Sequence, residues 1–234
     1  MSAVNGTYKL VFNDMRWFLI LFSCITLAVS VIYLLISMIF NVPANTNSSL
    51  FGPIYGGICA FACAGLVQPF QVAIGLGSTR KQFLKSYYAM AGLMVVASIT
   101  FLNVLYFIMD FLLQKGINKF KFFHPGYMES QDYHFFTYYW FDLMIGFLLM
   151  GLTALVTVLI RRMGIVNFLI AIVLLGMALT FILIPGNAPL IFEWIVETDV
   201  FLFFTTIGII GIAMLLLTYP MMKDAPLKMK SSKR

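Results

Sequence analysis

Gly75–Tyr88 reads GLGSTRKQFLKSYY, and it divides two long apolar runs. It carries Arg80, Lys81 and Lys85, whereas no Asp, Glu, Lys or Arg occurs from Trp17 to Thr79. Gly75 and Gly77 end the preceding helix, because glycine takes the left-handed conformation a helix C-terminus needs. Ser78 or Thr79 starts the next, and Thr79 with Gln82 has capping-box spacing. Phe83, Leu84, Tyr87 and Tyr88 then share one face, and Lys81 and Lys85 another. The stretch predicts a short basic amphipathic helix lying on the membrane surface between two spans. Its cations stand near a helix N-terminus, where the macrodipole disfavours each by about 0.3–1 kcal/mol. A compensating group outside the helix is therefore expected. Anionic lipid headgroups or a soluble partner would each supply it.

On either side the chain is 62% hydrophobic and 10% charged, with mean hydropathy +0.96. A soluble domain carries about 25% charged residues, so these values define an integral membrane protein. The apolar runs predict an all-α domain of six spans: about 17–40, 51–74, 87–109, 140–160, 166–184 and 201–219. Before the first, Tyr8, Val11, Phe12 and Met15 repeat with helical period opposite Lys9, Asn13 and Arg16, predicting an interfacial helix. The first apolar run is too long for a signal peptide, and no cleavage site ends it. Gly52, Gly56, Ala60 and Ala64 put a small residue at every fourth position of span two, which lets another helix approach closely. That helix could belong to the same subunit or to a second one. Pro69, flanked by Gln68 and Gln71, predicts a kink near the end of the span. Pro220 is expected to stop span six. Leu190–Val200, with Glu193, Trp194, Glu197 and Asp199, is too short and too charged to span and predicts a re-entrant or interfacial segment.

With both termini inside, the cytoplasmic segments hold twelve of the fifteen basic residues, and only Lys115, Lys119 and Lys121 lie outside. The positive-inside rule selects this orientation. The net charge of +6 is thus a topology signal and not a nucleic-acid patch. Cys24, Cys59 and Cys63 fall in apolar runs without zinc or redox spacing and read as small buried hydrophobes. Asn47-Ser48-Ser49 matches the glycosylation sequon. Gln114–Tyr139 mixes charges with many aromatics and reads as an interfacial belt or a contact surface for an amphipathic substrate. Its two histidines, His124 and His134, lack a ligand pattern and read as solvated loop residues, so no metal site is expected. Neither a nucleotide-binding nor a catalytic motif occurs. No charge sits at the centre of a predicted span, which counts against a proton-driven carrier. These residues describe a six-helix membrane protein without an energy source of its own.

With those motifs in place, the chain resembles the permease subunit of ABC-2-type (type V) exporters. The resemblance rests on the interfacial helix, G-L-G-S-T-R-K-Q-F between spans two and three, R-R-M-G between spans four and five, the broken segment before span six and A-P-L-K at Ala225–Lys228. It implies that Ser78, Thr79, Arg80, Lys81, Gln82 and Phe83 form a coupling helix docking on an ATP-binding cassette subunit. Arg161 and Arg162 would make a smaller second contact. It further implies ATP and magnesium in the partner, none in this chain, and a homodimer or a heterodimer with a second permease. The setting implied is a bacterial plasma membrane. Small size and the absent ATPase domain look most like permeases of bacterial peptide exporters, of the phenol-soluble modulin or bacteriocin type. The aromatic stretch is longer than a minimal permease needs. The other reading is an adaptor or immunity protein that binds a toxin or signalling partner and moves nothing.

Overall fold

The computed structural model describes residues 3–40, 42–43, 46–129, 133–183 and 198–223. Helix α1 spans Ala3–Ile39, α2 Gly52–Gly75, α3 Arg80–Gln114, α4 Phe135–Met163, α5 Ile165–Leu183 and α6 Val200–Lys223. Five of these, all but α5, are long and apolar enough to cross a membrane. Helix α5 is a shorter apolar helix joined to α4 through Gly164, whose φ of 84° turns the chain between two helices with no further linker.

Helices α1 to α4 alternate in direction and pack on one another. The largest interface joins α4 to α6. Trp140 stacks on Phe201 and Phe141 on Phe204 at one end, while Gly151 lies on Gly211 further along. Residue numbers rise together on the two helices, so they run parallel. A Cβ on Gly151 would fall on the Gly211 carbonyl, and one on Gly211 would fall on the Leu148 backbone. Glycine is required there because two backbones touch.

Helix α1 is one uninterrupted element of 37 residues, about 55 Å at 1.5 Å per residue. The expected break between an interfacial helix and span one is absent. Tertiary burial explains the continuity: Thr7, Val11 and Met15 are almost wholly buried, while Tyr8 and Phe12 remain exposed. The predicted surface helix between spans two and three is likewise no separate element. Its residues are the first turns of the 35-residue α3. Helix α6 continues through Pro220 to Lys223 instead of stopping.

The end of the bundle opposite Arg80 and Arg161 carries a small cap. Strand β1, Thr46–Ser48, pairs in parallel with β2, Phe120–Phe122, matching Thr46 to Phe120. A 3-10 turn follows at Pro125–Met128. Asn118 ties the cap down, donating to the Met109 and Phe120 carbonyls and accepting from the Phe120 amide. Ser37 of α1 accepts from the Lys119 amide at 2.8 Å. Phe120 and Phe122 pack on Tyr33. The stretch read as an interfacial belt or a contact surface for a substrate is, over this part, a folded element. Most of the predicted segment Leu190–Val200 and all of Ala225–Lys228 lie outside the described residues.

Candidate functional site

Two polar constellations stand at opposite ends of the bundle. The first is the basic end. Gly77, with φ of 86°, closes α2: its amide donates to the Ile74 carbonyl and the Ser78 amide to the Ala73 carbonyl. That is the paired termination motif glycine favours, while Gly75 stays helical. Thr79 then caps α3, accepting from the Gln82 amide at 3.3 Å, and the Gln82 side chain accepts from the Thr79 amide at 3.2 Å. The predicted capping box is present.

The residues expected to form one docking element divide by exposure. Thr79 and Lys81 are exposed and Gln82 half-buried. Ser78 and Phe83 are buried, Phe83 meeting Phe70 edge-on at 5.2 Å. Arg80 donates from Nη1 to the Lys223 carbonyl at 2.7 Å. This supplies the expected compensation for Arg80, because the negative end of the α6 dipole faces a cation placed on the positive end of α3.

Arg161 turns inward and Arg162 outward. Arg161 is 1% exposed, donates from Nη1 to the Leu66 carbonyl at 2.9 Å and lies over the Phe70 ring at 4.6 Å. Pro69 has no amide to donate to the Gly65 carbonyl, and the guanidinium binds the carbonyl next to it, in the same turn of α2. Arg80 is near enough for the two charges to act on each other. Direct contact with a partner is therefore open to exposed Arg162 and closed to buried Arg161.

In span two, Gly52 has open space beside it and Gly56 meets only Phe22, at 3.8 Å. Ala60 and Ala64 are half-buried. The close approach occurs at Gly57, against Phe22, and at Gly65, against Tyr87. Helix α1 thus meets a face one residue away from the predicted stripe. Cys24 and Cys63 are exposed on their helices and not buried as expected.

The second constellation escaped sequence reading. His124, assigned to a solvated loop, is 1% exposed, and its Nε2 stands 3.0 Å from Oδ2 of Asp142, which is 0% exposed. The ring N–H is not aligned for a hydrogen bond, so the two groups stand in close contact without one. Tyr55 donates to Asp142 Oδ1 at 2.6 Å and Asn103 to Oδ2 at 3.1 Å. Three helices and the cap thus converge on one carboxylate. His124 is stacked on Tyr138 at 4.1 Å and meets Tyr106 edge-on. Burial, with Asp110 as a second cause, raises the Tyr127 and Tyr133 hydroxyls above their ordinary range, so both remain protonated donors. The chain signal was weak but present: a lone Asp at 142, in a span otherwise free of acids, needs a partner.

Fold and polar constellations together define a multi-pass helical membrane protein. No family model, curated protein or solved structure matches the chain.

Proposed function

We propose that this chain is the permease subunit of an ATP-driven exporter, with ATP hydrolysed by a separate subunit and an amphipathic peptide or other hydrophobic cargo moved outward. The observation that supports the reading is the junction at the basic end. The α2–α3 connector and the end of α4, distant in sequence, lie close enough there for Arg80 and Arg161 to interact, and Arg80 also binds the end of α6. Lys81, Lys85 and Arg162 remain exposed beside it. A push on the capping-box turn would reach α3 directly, α6 through Arg80 and, through α3, the rest of the bundle. Lys81, Lys85 and Arg162 offer the surface an acidic cleft on an ATPase would take.

In this reading α5 is the sixth span. Helices α4 and α6 run parallel, so the chain between them returns across the bundle, and α5 covers about 28 Å. Both termini are cytoplasmic in a bacterial plasma membrane, and two copies, or this chain and a second permease, enclose the pathway. The open face at Gly52 and Gly56 is available to that second subunit.

The experiment is gentle purification from native membranes followed by mass spectrometry, for the native chain and for Arg80→Glu with Lys81→Glu. A stoichiometric ATP-binding subunit, lost in the variant while expression holds, is expected. Absence of any ATPase from detergent and nanodisc preparations alike overturns the exporter and leaves the adaptor reading, with lipid headgroups facing the basic end.

A further inference from the structure

We infer that His124 and Asp142 form a proton-binding site opening to the capped end, and that filling it unlatches the 3-10 turn. The inference is independent of what the chain transports. It begins with the tautomer. His124 Nδ1 accepts the Gly126 amide at 2.8 Å, so in this arrangement Nδ1 carries no proton and Nε2 does. The same bond makes His124 the N-cap of the 3-10 turn. A proton arriving at Nδ1 takes the lone pair that holds the Gly126 amide. One hydrogen bond is lost and no covalent bond breaks; the imidazolium is then paired with the Asp142 carboxylate. Proton uptake and release of the turn are one event.

The surroundings suit a proton in place of a larger ligand. A cavity of about 20 Å³ adjoins His124, room for one water. Its lining runs from half-exposed Asp110 and Tyr127 to the buried imidazole. Tyr106, 4% exposed, lines the cavity, and its hydroxyl has no hydrogen-bond partner among the described residues. A water in the cavity would satisfy that hydroxyl and connect the bulk phase to the ring. Among the described residues, the titratable and charged groups facing His124 come from three helices and the cap. Helix α4 contributes Asp142 and Tyr138, and α3 contributes Asp110 and Tyr106. Helix α2 reaches Asp142 through Tyr55. From the cap and its linker come Tyr127, under the Lys121 ammonium, and Tyr133. The carboxylates of Asp142 and Asp110 favour a positive ring and outnumber the single Lys121 ammonium that opposes it, and the stacked face of Tyr138 favours it further.

The chain has two histidines, so His134→Gln leaves His124 as the only imidazole. In nanodiscs, nitrogen NMR of that variant from pH 8 to pH 5 reads the ring directly. The expected result is the Nε2–H tautomer at pH 8, proton uptake at Nδ1 on acidification, and a fall of at least tenfold in the exchange protection of the Gly126 amide over the same interval. Adding His124→Asn supplies a permanent acceptor that cannot take a proton, and Gly126 protection should then be independent of pH. A ring that stays neutral to pH 5 overturns the site. Proton uptake without loss of Gly126 protection, or loss that persists with His124→Asn, overturns the unlatching.

Discussion

Arg161 and Arg162 are adjacent and chemically alike, yet the bundle uses them oppositely. Arg161→Lys keeps the charge but loses the planar group over Phe70; a loss of about 1–2 kcal/mol is expected, from cation–π and hydrogen-bond contributions. Arg162→Ala, at an exposed position, should stay within about 0.5 kcal/mol of the native chain. Reversible unfolding in mixed micelles measures both, and equal losses would show that the inward placement of Arg161 contributes nothing. At the capped end, Tyr127 and Tyr133 titrate above the ordinary tyrosine value of 10.0. Their raised values mean that their contribution to the cap is fully present below about pH 10 and is lost as pH rises beyond it. Tyrosinate absorbance should therefore lag that of a denatured control, and exchange at Phe120–Phe122 should quicken as it appears.

Among the elements, α3 shows how a cap and a core share one helix. Its first turn is set by Thr79 and Gln82, and Thr79→Ala should cost about 1 kcal/mol. The next turn is already interior at Phe83 and Leu84, both 0% exposed. A helix lying on the membrane cannot bury these two groups inside the bundle, so amphipathic spacing alone misread a helix start as a separate surface helix. The α4–α6 seam gives the sharper test. Gly211→Leu forces a side chain into the Leu148 backbone, whereas Gly176→Leu on α5 meets nothing within 4 Å. The first should abolish a stable fold or cost about 3 kcal/mol or more, and the second should be silent in thermal unfolding. Sensitivity at Gly176 and tolerance at Gly211 would reverse the assignment of which helix is packed.

For the whole molecule, the two polar constellations sit at opposite ends of one bundle, and α2, α3, α4 and α6 connect them. Helix α3 runs from Arg80, bound to the Lys223 carbonyl, to Asn103, bound to Asp142. A tilt of α3 driven at one end changes the geometry at the other, since a close-packed helix moves as a body. In the exporter reading, cysteine labelling with an impermeant reagent should reach a cysteine placed at Asn47 from outside intact cells, and one at Lys81 only after permeabilisation. The reverse pattern would invert the protein in its membrane.

Sequence alone determined the class and much of the outline. Apolar runs of membrane length, the alternation of basic ends, the capping box and the glycine turns are local, and local chemistry suffices because a backbone in lipid has few other ways to satisfy its hydrogen bonds. What only the tertiary structure decided is which face of each helix meets which neighbour. Phe22 selects Gly57 over Gly56, the α6 terminus holds Arg80, and the Leu66 carbonyl with the Phe70 ring holds Arg161 inward. The pairing of His124 with Asp142 belongs to the same class. A histidine in a polar loop has no local reason to be buried; it is carried inside because Asn118, Ser37 and β1 fold the cap over α3 and α4, and an acid already waits there in need of a partner.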